Sequence, residues 1–568
     1  MRRTAVVVLA FFCLLDLGAG PAAAQPAPQR APTIARTDPG AGFVPPALEL
    51  SHLVLPAVSP AKARDLPARH DWREQGQVSP AKDQGSCGSC YAFAAVGDLE
   101  SRVLRDWLQL VDLSENQVKE CHYEANSCNG GNAQIAMNLL TLRGASLESC
   151  DPYVAADVAC DLGCEPGFAV LAWHWLSGGL QPATADLKQA LLDHGPLSTT
   201  VYAGDSSNPS WWQTFTEWDG GPGLYYAGGE QTNHAVMLVG WDDDQPHAGG
   251  GAGCWIVKNS WGASWGDVCG YGSAEGYCYL AYGSAGFGKW SSAIVELMPS
   301  YPELTVAAWD EGGWTGAYGY NQTAAWGLAR HTVPDETNLH RVEFWTTDAT
   351  VDVDVYVYAD FDGTTLGGLL ASALNRSFPA AGYHSVELTS PLALSPGVDY
   401  YVAVRFQNAS YVYPVAIDGQ GSRGAGHTWL SYSGSAWVDL GGTANCEAGI
   451  RIRTSPHATL AVEDPGSPPA PGAPHAARFE LAAPWPNPFN PSTNVAFTLG
   501  AAARVRLRIH DLQGRALRTL VDAALDAGRH QEVWDGRDDA GRSLPAGVYV
   551  CRLDDGWQSR SQRVVLIK

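Results

Sequence analysis

The segment Gln84-Gly85-Ser86-Cys87-Gly88-Ser89-Cys90-Tyr91-Ala92-Phe93 constrains this chain more than any other feature. A glycine- and serine-rich turn runs directly into Tyr91–Glu100, an apolar stretch with helix-forming composition, which predicts Cys90 at the head of a helix. A cysteine is a useful nucleophile only as a thiolate, and it needs a positive setting and a base to become one. Helix N-termini supply the setting, because their first N–H groups lack intrahelical acceptors and their dipole favours an anion. Two downstream segments supply partners. Asn233-His234-Ala235-Val236-Met237-Leu238-Val239-Gly240-Trp241 reads as a buried strand that is polar only at its entry. Trp255-Ile256-Val257-Lys258-Asn259-Ser260-Trp261-Gly262 reads as a second strand ending in a polar, aromatic turn. A histidine takes a thiol proton productively when its other ring nitrogen is oriented, and the Asn259 side-chain carbonyl can orient His234. Trp261 would shield that bond from water. Gln84 offers an amide donor which, with the Cys90 backbone N–H, would make an oxyanion hole.

These residues resemble the papain family of cysteine peptidases, whose C-G-[SA]-C-[WY] signature they match. Ser114-Glu115-Asn116-Gln117 through Cys121, then Cys128-Asn129-Gly130-Gly131, and Gly195-Pro196-Leu197-Ser198 extend the resemblance over roughly residues 66–298, in the family order Gln, Cys, His, Asn. Tyr91 stands where the family usually has tryptophan. The resemblance implies an α+β papain-like domain, one half helical and one half β-barrel. It implies peptide-bond hydrolysis through a thioester acyl-enzyme, with Cys90 as nucleophile, His234 as base and acid, Asn259 as orienter and Gln84 as oxyanion donor. It pairs Cys87 with Cys128 and Cys121 with Cys160. It puts substrate contacts at Gly88, Gly130, Gly131, the Asn233 backbone and Trp261, with the main specificity pocket near Ala133, Thr200 and Ala235. All three pocket residues are small or modest, which suits a bulky apolar side chain; Ala133 and Ala235 read equally well as plain core alanines. Carboxydipeptidase members carry a histidine-bearing loop across the cleft, and Tyr153–Phe168 is short and lacks histidine, which argues for an endopeptidase.

Length predicts several domains for 568 residues. Against 59 acidic residues stand 36 basic ones, a net charge of −23 that disfavours nucleic acid or an anionic membrane as partner. Arg2-Arg3, the apolar run Ala5–Leu15 and Ala22-Ala23-Ala24 read as a secretory signal over residues 1–24, leaving no membrane span in the exported chain. Thirteen cysteines fit an oxidising, extracellular compartment. Proximity suggests the further pairs Cys150–Cys164 and Cys269–Cys278, and leaves Cys254, Cys446 and Cys551 unassigned. No C-x-x-C pair recurs with metal-ligand spacing, so no metal or cofactor is implied.

Around the peptidase-like region the composition shifts. Residues 25–65, rich in proline and alanine, read as a leader or short propeptide without helical periodicity. Residues 302–455 alternate polar and apolar, as in Val351–Tyr358 and Tyr400–Phe406, and predict a β-sandwich resembling the lectin-like domains that follow papain-type peptidases in some secreted prokaryotic proteins. Trp314, Tyr318 and Tyr320 are candidates for sugar or cell-surface binding, with sandwich packing the better reading. Asp360, Asp362 and Asp242–Asp244 read as solvated turns rather than calcium ligands. Residues 456–476 form a proline-rich linker. Residues 477–568 read as a small Ig-like β domain resembling the C-terminal sorting domains of the bacterial type IX secretion route, with the secretion machinery as its partner. Two function classes follow: a secreted endopeptidase acting on proteins or peptides, or an adhesin on an inactive papain fold.

Overall fold

The computed structural model describes residues 26–31, 42–107, 109–124, 127–300, 304–456 and 480–566, except 483, 485, 486, 488, 500–502, 511–515, 527, 546 and 555–558. The signal segment, most of the proline-rich linker and the Asp511–Arg515 turn lie outside the described residues. The chain divides into two compact units, residues 1–71, 80–98 and 113–457, and residues 72–79, 99–112 and 458–568.

Helix α1 (Cys90–Trp107) begins in the first unit, directly after the glycine–serine turn, with the Ser89 carbonyl accepting from the N–H groups of Ala92 and Phe93. Helix α2 (Ala133–Leu142) is capped by Asn132, whose Oδ1 accepts from the Ile135 N–H at 3.2 Å. It is buried from Ala133 to Thr141, so it runs through the core instead of over it.

A twelve-stranded antiparallel sheet carries the functional segments. Its members include β1 (Pro166–Trp175), β2 (Leu197–Val201), β3 (His234–Pro246), β4 (Ala252–Lys258), β5 (Tyr277–Ala281), β6 (Lys289–Pro299), β7 (Thr337–Thr346), β8 (Gly382–Leu394) and β9 (Ile450–Pro456). Their spatial order is β9-β7-β8-β1-β6-β2-β3-β4-β5. The sandwich region is therefore not a separate bead after the peptidase-like region. Its strands β7, β8 and β9 continue the peptidase-like sheet through the β8–β1 pairing, Gly382 opposite His174 and Tyr383 opposite Trp173. Glycine is required there: a Cβ on Gly382 would lie 2.1 Å from the Trp173 carbonyl oxygen. The sequence hid this join because β1 and β8 are far apart in the chain.

The join is dense and charged. Arg451 on β9, fully buried, donates through Nε to Asp310 at 2.8 and 3.0 Å, and reaches Thr141 Oγ1 at 3.0 Å and Asn138 Oδ1 at 2.6 Å on α2. Its guanidinium lies over the rings of Trp345 and Tyr383. Arg453 binds Glu343 at 2.7 Å and the Thr141 carbonyl at 3.0 Å. A second, six-stranded sheet covers the other side of the sandwich, with Asp399–Asn408 and Ala324–Thr332 at its centre and alternate valines of the adjoining Val351–Phe361 buried. Trp314 and Tyr320 are packed inside, while Tyr318 is half-buried. Asp362 accepts from the Thr364 and Thr365 N–H groups, and Asp243 holds Lys188 and Tyr282, so these carboxylates serve turns and pairs.

Disulfides join Cys87–Cys128, Cys121–Cys160 and Cys150–Cys164. The suggested Cys269–Cys278 pair does not form; Cys278 lies on β5 as a buried thiol packed within the sheet. In the second unit, three- and four-stranded antiparallel sheets enclose a core that includes Trp534, Phe489, Val495 and Leu507. The fold class is α+β followed by two β-rich domains.

Candidate active site

Cys90 is the first residue of α1 and is fully buried, and its Sγ accepts from the Ala235 N–H at 3.3 Å. That contact places the thiol against the start of strand β3, which His234 opens. His234 Nε2 lies 2.8 Å from Asn259 Oδ1. Asn259 Oδ1 also accepts from the Ser260 N–H at 2.8 Å, which identifies it as the carbonyl oxygen. Nε2 is therefore the protonated nitrogen, and Nδ1 is left as the basic one. Trp261 stacks on the imidazole, ring centroids 4.8 Å apart, and Phe215 and Trp265 pack around Trp261. This aromatic wall keeps water from the His234–Asn259 bond.

Gln84 is buried and oriented at both ends. Its Oε1 accepts from Ser260 Oγ at 2.6 Å, and its Nε2 donates to the Cys87 carbonyl at 2.8 Å. One amide hydrogen is thus already used inside the turn, and the second remains for a ligand. Two positions escaped the sequence reading. Ser260 orients both Gln84 and Asn259, a role hinted at only by its place in Asn259-Ser260-Trp261. The Tyr153 hydroxyl sits 2.6 Å from Ser89 Oγ and donates to the Gln84 carbonyl at 2.8 Å, bracing the turn before Cys90; no local pattern marked it. Tyr91 points its hydroxyl at His122 Nε2 and the Ser127 carbonyl, holding the segment that leads into the glycine loop.

Residues 42–44, in the segment read from the sequence as a leader, run past four of the proposed substrate contacts, Gly88, Gly130, Gly131 and Asn233. The Phe43 N–H donates to the Asn233 carbonyl at 2.9 Å, the Val44 N–H to the Gly131 carbonyl at 2.9 Å, and the Gly131 N–H to the Gly42 carbonyl at 3.0 Å. Asn132 Nδ2 adds a bond to the Val44 carbonyl at 2.9 Å. Gly42 has a φ of +112°, and a Cβ there would lie 2.6 Å from the Gly88 backbone, so only glycine passes this close to the turn before Cys90. Leu48, Leu50 and Leu53 are buried, His52 stacks on Tyr411 at 3.9 Å, and Gln29–Arg30 pairs with Tyr318 and Gly319. The leader thus grips both the peptidase-like and the sandwich parts. Thr200 and Ala235 face each other across β2 and β3, and Ala133 opens α2. Gly130, with Gly131, forms the loop that leads into α2.

Burial pushes the Cys90 thiol up to about 12, against the downward pull of the N–H groups of Ala235, Tyr91 and Cys90 itself.

Residues 66–285 match the family described as papain family cysteine protease, residues 308–454 the lectin-like domain, and residues 487–554 the FlgD Ig-like domain. Residues 66–285 are a papain-family cysteine protease domain. Digestive cysteine proteinase 2 of Homarus americanus is 36% identical over 205 residues, covering 35% of this chain and 58% of that protein. Cathepsin K of Gallus gallus is 36% identical over 223 residues, covering 38% and 59%. The chain thus spans less than two thirds of the length of these relatives. The solved cysteine protease and lectin-like domains of Cwp84, a surface layer associated protein of Clostridium difficile, share the fold with a TM-score of 0.59 at 18% identity, over 74% of this chain and 93% of that one. That likeness spans the papain-family and lectin-like domains together.

Proposed function

We propose that the protein is an exported cysteine endopeptidase, held silent by its leader and carrying a lectin-like domain and an Ig-like C-terminal domain. The observation that carries this reading is the buried Cys90 thiol at the head of α1, which accepts from the N–H of Ala235, the residue after His234, whose Nε2–H is held by Asn259 at 2.8 Å. In the reaction, His234 Nδ1 takes the Cys90 proton as the sulfur attacks the scissile carbonyl carbon. The resulting oxyanion is met by the Cys90 N–H and the remaining Gln84 amide hydrogen. His234 returns the proton to the departing amine, leaving a thioester. Water, deprotonated by His234, then attacks the thioester, and the acid is released as Cys90 regains its proton. The leader opposes this twice. It takes the Gly131 and Asn233 backbone groups that an extended substrate would pair with, and at Gly42 it packs against the Gly88 backbone, two residues before the nucleophile.

Export rests on the secretory pattern of residues 1–24 and the three disulfides. Among the described residues no helix is long and apolar enough to cross a membrane. Surface association of Cwp84 makes a cell-surface site reasonable for this chain, with the lectin-like domain as one contact to a carbohydrate or surface ligand and the Ig-like domain as the address read by secretion machinery. The test is peptide hydrolysis by the leader-cleaved chain. Cys90→Ala and His234→Ala should each abolish it while the fold persists; near-normal turnover by either variant would remove that residue from the reaction. Truncation after Pro465 should keep hydrolysis and change where the protein is found in its host; unchanged surface placement would end the sorting role.

A further inference from the structure

Beyond the Cys90 cleft, on the path the leader takes after Val44, a cavity of about 20 Å³ lies where three parts of the chain meet. Pro46, Ala47 and Leu48 of the leader close it; Asn132 and Gln134 line it from the papain-family domain, and Trp314 lines it from the lectin-like domain. Two of these side chains carry buried polar atoms without a partner. Gln134 is 5% exposed with neither Nε2 nor Oε1 hydrogen-bonded, and Trp314 is 2% exposed with its indole N–H unmet. Buried polar groups are normally satisfied, and each exception calls for an account. The space suffices for a water while the leader is in place.

We propose that, once the leader leaves, this site is an outer subsite of the peptidase, shared between the papain-family and lectin-like domains, which takes the stretch of an extended polypeptide substrate that lies beyond Gly131. The proposal rests on the peptidase reading above. The leader itself shows that a polypeptide fits: it pairs with Gly131, gives its Val44 carbonyl to Asn132, and continues as Pro46-Ala47-Leu48 across Gln134 and Trp314. Asn132 is the hinge of the arrangement, since the same side chain caps α2 and reaches the chain in the cleft. With the leader gone, Asn132 Nδ2, the Gln134 amide and the Trp314 N–H become donors and acceptors for a substrate backbone, beside an indole face suited to proline or a small apolar side chain. β7, β8 and β9 of the lectin-like domain continue the papain-family sheet, so the domain that carries Trp314 is joined to the papain-family domain by paired strands.

The experiment measures kcat/KM of the leader-cleaved full chain on peptides lengthened stepwise, one series at the N-terminus and one at the C-terminus. In one series only, kcat/KM should rise about threefold to tenfold once the extension reaches four to six residues from the scissile bond, the worth of one net hydrogen bond. Trp314→Phe, which keeps an aromatic ring and removes the N–H, and Gln134→Ala should each pull the long-to-short ratio back towards one. Stoichiometric alkylation of Cys90 in each variant confirms that the fold is intact. No length dependence in either series, or a dependence that neither variant changes, would overturn the proposal. So would variants that lose retention on immobilised oligosaccharide while keeping the length ratio, because the site would then serve sugar. Failure to cleave any peptide, short ones included, would overturn the peptidase reading and the proposal with it.

Discussion

Replacing Arg451 by alanine should unsettle the papain-family and lectin-like domains together. The guanidinium is fully buried and satisfies Asp310, which is itself fully buried, besides Asn138 and Thr141 on α2. Removing one partner of a buried ion pair strands the other, which costs about 3–5 kcal/mol. Burial already raises the Asp310 carboxyl, with Arg451 pulling it down. Without Arg451 that opposition is gone, so the folded-state value rises further above the unfolded one. A raised folded value stabilises below the unfolded value of about 3.9 and is lost as pH rises. The deficit of Arg451→Ala against wild type should therefore be larger at pH 7 than at pH 4. The pair replacement Arg451→Met with Asp310→Asn should recover at least half of the loss, since no charge is left alone. Scanning calorimetry of the full chain with denaturant titration by tryptophan fluorescence reads both. A loss below about 1 kcal/mol at pH 7 would rule out a broken buried pair as the cause, given the range expected for one. So would a transition of the lectin-like domain that moves while the papain-family domain stays put.

His174 and His384 face each other 5.1 Å apart across the β1–β8 join. Burial first, then His194, lowers His174 to about 3, and burial first, then His174, lowers His384 well below its ordinary value. Lowered folded values mean that only the unfolded chain takes up protons as pH falls below about 6.5, so stability should decline from there towards pH 3, by up to about 1.4 kcal/mol per pH unit for each ring. The double variant His174→Gln, His384→Gln should flatten that decline in pH-dependent melting, and an unchanged slope would clear the two rings of the effect. Gly42→Val should push the leader off Gly88 and raise hydrolysis of a short peptide by the uncleaved chain; activity equal to wild type would show that the leader does not restrain the cleft at this point. Gln84→Ala should lower kcat by about 10²–10³, or 2.7–4 kcal/mol, with little change in KM, and an unaltered kcat would take Gln84 out of the oxyanion hole.

Local chemistry with a short sequence signature is legible in the chain itself. A thiol after a glycine turn, a histidine at a strand entry and an asparagine two residues before a tryptophan are placed by residue type and order, and the fold sets Cys90 at a helix start, His234 at a strand start and Asn259 against the His234 ring. The alternating valines of Val351–Tyr358 likewise announce a sandwich. What stays hidden depends on long-range contact. Nothing in Gly42-Phe43-Val44 marks it as cleft-filling, because its bonds are made by backbone to Gly131 and Asn233, and backbone partners leave no composition signal. The fused sheet turns on Gly382 meeting Trp173, a register that no local period encodes. Tyr153 and Ser260 act on residues far off in sequence, Gln84 among them, and read locally as ordinary loop positions. Cys269 and Cys278 look paired by proximity alone, yet Cys278 lies inside a buried strand whose neighbours on β4 fill its surroundings.

In the proposed function Cys90 is the nucleophile, and the leader restrains it by lying along the cleft at Gly88, Gly131 and Asn233. A thiol-directed epoxysuccinyl inhibitor, applied to the chain before and after leader cleavage and mapped by mass spectrometry, puts this to the test. Labelling of the uncleaved chain should be slow or absent, and cleavage should bring single-site labelling at Cys90 that is lost in His234→Ala. Labelling at another cysteine, or equal labelling of Cys90 with the leader in place, would contradict it.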